Sequence, residues 1–127
     1  MTIERLIIVA FIATTLFSMA SAVPGIATYY TVYVPSACYG FEDRGTMIAA
    51  ASADLYANGA ACGRRYSVAC TSGTNAVPNP CRNGRVTVTV VDLCPGCPAN
   101  GLDLSQEAFS IIADPAAGRI NIDFTQV

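Results

Sequence analysis

The groups able to do chemistry in this chain are few. They are six cysteines, nine acidic side chains, and the hydroxyls of Ser, Thr and six tyrosines. There is no histidine, which removes Ser-His and Cys-His nucleophile machinery and histidine-based metal sites. There is also no lysine, so Schiff-base chemistry and P-loop phosphate binding are excluded. Cys94-Pro-Gly-Cys97 has the CxxC spacing of zinc and redox sites. No second CxxC accompanies it and no thioredoxin-type βαβ pattern surrounds it, so neither a zinc site nor a redox motif is expected there. Metals and organic cofactors are not expected.

The cysteines also report on the compartment. Glu4 and Arg5 precede an apolar run from Leu6 to Phe17, then Ser18, Ala20, Ser21 and Ala22. This pattern reads as a secretory signal, residues 1–22, cleaved after Ala20-Ser21-Ala22. Its apolar run is too short for a comfortable membrane span, and no later segment could span a bilayer. The expected product, residues 23–127, keeps all six cysteines: Cys38, Cys62, Cys70, Cys81, Cys94 and Cys97. An even count behind a signal implies three disulfides, although spacing alone does not choose their pairing. At about 2–4 kcal/mol each, three bridges would reinforce the modest core of so small a domain. All positive charge is arginine and the net charge is −2, so a nucleic-acid partner is not expected. No Asn-x-Ser/Thr sequon occurs. Without tryptophan, any aromatic platform for a sugar must use Tyr or Phe.

The elements that must hold these groups are mostly short strands. Ile26 to Val34 is rich in Thr, Tyr and Val and reads as a strand ended by Pro35. Cys38 to Gly45 is a loop with an acidic-basic cluster at Glu42-Asp43-Arg44. Thr46 to Tyr56 reads as a strand followed by a short helical turn, closed by the turn signal Asn58-Gly59. Arg65 to Thr71 is a strand, and Ser72 to Gly84 an exposed Pro/Asn/Gly loop. Arg85 to Leu93 gives the clearest alternation, with Val86, Val88 and Val90 on one face and Thr87, Thr89 and Val91 on the other. Cys94 to Gly101 is a tight loop. Leu104 to Ala113 has near-helical apolar spacing and stops at Asp114-Pro115. Arg119 to Thr125 alternates again. Short strands, one clear helix and tied-down loops predict a single all-β domain, a small closed or nearly closed barrel.

Several runs carry a resemblance: ATYY, ACYGFEDRGTMIAAAS, AACGRRYSVAC with its Pro-rich loop, and VTVTVVDLCPGCPANGLDLSQEAFSIIADPAAGRINIDFTQV. Together they resemble the plant natriuretic peptide-like proteins, which carry a family 45 endoglucanase-like domain and are similar to the first domain of expansins and to barwin. The resemblance implies a disulfide-stapled, six-stranded double-psi β-barrel in a protein of the plant apoplast or cell wall. It implies the pairs Cys38–Cys62, Cys70–Cys81 and Cys94–Cys97, although Arg65 stands where expansins usually carry another cysteine. It also implies an open groove across the barrel with paired acids at Asp92 and Asp103. Asp103 matches the general-acid position of family 45 glycosidases. Thr28 and Tyr29 match a Thr-Tyr pair that lines the groove in bacterial expansin-like proteins.

A carboxylate pair suits glycosides, since one group protonates the leaving oxygen while the other activates water. The departures argue against hydrolysis. Inverting family 45 enzymes carry their base as an aspartate on the first strand, and ATYYTVYVPSAC has no acid. The histidine of the expansin HFD motif is missing from Gly101-Leu102-Asp103, and the chain stops at Val127 without a second, cellulose-binding domain. Plainer roles stand beside these. Asp103, with Gln106 three residues on, or Ser105 would cap the helix. Asp92 would turn a strand into a loop. Thr28 and Tyr29 would be ordinary strand residues, and Arg64-Arg65 a solvated pair.

Three functions follow as expectations. The first is non-enzymatic extracellular signalling for water and ion homeostasis and cell expansion, through a plasma-membrane receptor. The second is expansin-like binding or loosening of cell-wall polysaccharide without hydrolysis. A barwin-like defence role ranks below both. A monomer is expected.

Overall fold

The computed structural model describes residues 21–127. The signal segment assigned to residues 1–22 therefore lies outside the described residues, apart from Ser21 and Ala22. Six strands form a closed barrel: β1 (Val23–Tyr30), β2 (Ile48–Ser52), β3 (Arg65–Gly73), β4 (Val86–Cys94), β5 (Gly101–Ser105) and β6 (Ile120–Gln126). The order around the barrel is β1-β5-β2-β4-β3-β6. Two pairs, β1 with β5 and β2 with β4, run parallel and the others antiparallel. Two short helices complete it, α1 (Ala53–Tyr56) and α2 (Gln106–Ile112). This is the six-stranded double-psi barrel expected from the resemblance.

Alternation supplies the core. Val68, Val88, Val90, Leu102, Leu104, Ile120, Ile122 and Phe124 are essentially without exposure, and α2 adds Phe109 and Ile112. Closing the barrel removes the free edges that would otherwise template aggregation. Three disulfides join Cys38–Cys62, Cys70–Cys81 and Cys94–Cys97, the pairs that the resemblance implied.

Three elements depart from the sequence expectation. β1 ends at Tyr30, not Val34. Its partner β5 ends at Ser105, opposite Tyr30, so Thr31–Val34 has no ladder to join despite its β-rich composition. β5 lies where the sequence predicts the end of a loop and the first two residues of a helix, and α2 begins only at Gln106. The third departure is a bulge in β4. Ala49 faces Val90 but Ala50 faces Asp92, so Val91 is an extra residue. Such a bulge reverses the facing of every later side chain. Val86, Val88 and Val90 point into the barrel, and Asp92 consequently points out.

Candidate functional site: a polar row across the barrel wall

Cross-strand register assembles the site. Thr28 of β1 pairs with Asp103 of β5, Asp103 with Ala50 of β2, and Ala50 with Asp92 of β4. Paired residues share a face, so these four form one row on the outer wall of the barrel. Their inward neighbours Ala27, Leu102 and Ala49 belong to the core. At roughly 4.8 Å per strand, the α-carbons of Asp92 and Asp103 stand about 10 Å apart. Ala50, between them, carries only a methyl group and keeps the floor low.

Each carboxylate is held differently. The Thr28 hydroxyl donates to Asp103 Oδ1 at 2.8 Å. Burial pushes the Asp103 carboxyl above its usual range; the Thr28 bond opposes that shift and the charge of Asp92 adds to it. Asp92 Oδ1 accepts from the backbone N–H of Ala37 at 2.8 Å and of Leu93 at 2.9 Å. Asp92 thus pins the segment leaving β1 against the end of β4. The shift of Asp103 lies in the direction that a general acid or hydrogen-bond donor needs. One oxygen of Asp92 is already committed to amides, which constrains it as a base for water.

The tyrosine of the site is Tyr30, not Tyr29. Strand alternation puts Thr28 and Tyr30 on one face and Tyr29 on the other. Tyr29 accordingly packs on Phe109, ring centroids 4.8 Å apart, and donates its hydroxyl to the Pro115 carbonyl at 3.2 Å. Tyr30 instead lies within the field of both carboxylates. Its hydroxyl is raised well above its ordinary range by burial, then by Asp92, then Asp103. That hydroxyl is buried and has no hydrogen-bond partner among the described residues. Tyr33 packs edge-on against Tyr30 at 5.2 Å and hydrogen-bonds Glu107 at the start of α2. The signal for Tyr30 was present in the sequence as its spacing of two from Thr28.

The capping question resolves against Asp103. Ser105 is the N-cap of α2, its Oγ accepting from Ala108 N–H at 3.0 Å and donating to the Thr46 carbonyl. Asp103 lies within β5 with its side chain turned to Thr28. Beyond the row, Arg64 and Arg65 form no ion pair among the described residues, and Glu42 pairs with Arg44 at 2.8 Å on the exposed loop. Among the described residues no group of three or more metal-ligating side chains gathers, and no helix is long and apolar enough to cross a membrane.

Comparison with known proteins is consistent with this architecture. A family profile described as "Lytic transglycolase" matches residues 48–124. An EG45-like domain containing protein of Citrus jambhiri is 52% identical over 96% of this chain and 95% of its own length. The putative EG45-like domain containing protein 1 of Arabidopsis thaliana is 53% identical over 86% of this chain and 87% of its own. Among solved structures, a Clavibacter michiganensis expansin variant in complex with cellohexaose is 30% identical with a TM-score of 0.65. The match covers 86% of this chain and 50% of the expansin, so the chain spans half of that protein. The chain belongs to the EG45-like domain proteins, and its barrel is related to that of the expansins.

Proposed function

We propose that the protein is secreted to the plant cell wall, where the Thr28–Asp103–Ala50–Asp92 row binds polysaccharide without hydrolysing it. The observation that carries this reading is the row itself: a low floor with a hydroxyl and two carboxylates in register, flanked by the ring of Tyr30. Such a surface offers donors and acceptors to sugar hydroxyls and an aromatic edge to a sugar ring. Relatedness to an expansin solved with cellohexaose supports the same ligand class. Against hydrolysis stand the absence of an acid from β1 and the commitment of Asp92 Oδ1 to two amides. The test is binding of the purified protein to cellulose and matrix glycans, with reducing-end release measured in parallel. Binding that weakens in Asp103→Asn, with no release at any protein level, supports the reading. Release that disappears in the variant would make the protein a hydrolase.

A second reading is signalling for water and ion homeostasis through a plasma-membrane receptor. One observation favours it. The excursion between β1 and β2 exposes apolar side chains, with Phe41 81% and Val32 73% accessible, beside Arg44 stacked on Tyr39 at 3.8 Å. Exposed apolar side chains on a loop suit a protein partner. A change in protoplast volume that Phe41→Ser abolishes and Asp103→Asn leaves intact would favour signalling over wall binding.

A further inference from the structure

The polar row has an end that neither carboxylate reaches. β1 and β6 pair Ala27 with Ile120 in antiparallel register. Arg119 immediately precedes Ile120, at the end of this ladder next to Thr28's strand. Arg119 is exposed and makes no ion pair among the described residues. The Thr74 hydroxyl holds its backbone carbonyl at 3.0 Å, anchoring the entry to β6. Thr28 and Arg119 also line one small cavity, of about 160 Å³, with Ile26, Pro98 and the Cys94–Cys97 disulfide. The shared cavity thus brings Arg119 and Thr28 to one site.

The lining of this cavity is chemically selective. Ile26, Pro98 and the disulfide give apolar walls for the C–H face of a sugar. Arg119 is the charged residue among the lining residues, and no acid accompanies it. A guanidinium presents parallel N–H donors that match a carboxylate in two-point contact. Asp103 is not among the lining residues. Arg119 makes no ion pair with it.

We propose that this cavity is a subsite for a uronic acid, so that the groove takes an acidic wall polysaccharide and seats one of its carboxylates on Arg119. The proposal rests on the polysaccharide-binding reading and narrows it to a ligand class. The probes are an oligogalacturonide, its carboxyl-reduced neutral counterpart, and cellohexaose, titrated calorimetrically into the protein and into Arg119→Gln. The acidic oligomer is expected to bind about 10-fold more tightly than its neutral counterpart, the worth of one charge-assisted contact. Arg119→Gln should erase that preference. Arg119 is exposed, so the variant's melting temperature should match the parent's. A preference that survives Arg119→Gln overturns the subsite. So does neutral binding with no acidic preference, which leaves the groove reading intact. No binding of any probe removes the groove reading and the subsite together.

Discussion

Thr28 on the first strand donates a 2.8 Å hydrogen bond to Asp103 on the fifth, 75 positions away in sequence. This bond draws Asp103 away from the helix that follows it and into the row with Asp92. It also opposes the burial that raises the Asp103 carboxyl. In Thr28→Val the opposition is lost, and Asp103 should titrate higher than in the parent. Carboxyl-carbon NMR titration checks this; an unchanged or lower midpoint contradicts it.

The same carboxyl makes stability depend on pH. Its folded pKa is raised, so its contribution favours folding in acid, where it is protonated, and is lost as pH rises through the folded value. Asp103→Asn removes this dependence and keeps an oxygen for Thr28. The variant and parent should melt alike in acid, and the variant should melt higher at neutral pH. Melting curves at both pH values decide it, and a variant less stable at neutral pH would refute it.

Tyr30 carries a buried hydroxyl without a partner among the described residues. Tyr30→Phe should therefore cost no stability and gain up to about 1–2 kcal/mol. If that hydroxyl serves a glycan, the same change weakens polysaccharide binding. Urea unfolding and glycan titration on one preparation separate the two effects.

Ser105 is fully buried and ties α2 to the segment before β2 through Ala108 and Thr46. Ser105→Ala removes the cap and leaves the Ala108 N–H short of its acceptor. A loss of about 1–2 kcal/mol is expected from the cap alone, and Ser105→Thr should restore part of it. Denaturant midpoints are the measurement.

The disulfides should contribute unequally. Cys38–Cys62 spans 24 positions and Cys94–Cys97 only 3. On the chain-entropy account, replacing the first pair by serine costs about 3–4 kcal/mol and replacing the second about 2. Guanidinium unfolding of the two double variants should show that order.

Legibility in the sequence followed the alternation. β4 and β6 were readable because buried and exposed residues alternate along them. Gly101–Ser105 was not, since four of its five residues are buried and Leu104 also fits a helical spacing. The bulge at Val91 leaves no mark in a run of valines, although it decides where Asp92 points. Asp92, Asp103 and Thr28 came from resemblance, and the register now sets them in one row. Tyr29 came from resemblance too, and simple period-two alternation would have moved the assignment to Tyr30. Arg119 read only as the start of the last strand, because the cavity it shares with Thr28 exists only in the fold.

The barrel's closure also sets a clock. The first strand of the domain pairs with the fifth and the last, and with no other. As the chain is synthesised, Val23–Tyr30 emerges long before Gly101–Ser105 and Ile120–Gln126 exist. At about 5–20 residues per second, that strand waits on the order of 5–20 s for its ladder partners. Pairings of such long sequence separation are also slow to form once the chain is complete. During this interval Thr28 and Asp103 belong to no common surface. The polar row is therefore assembled late, only once Gly101–Ser105 has joined Val23–Tyr30.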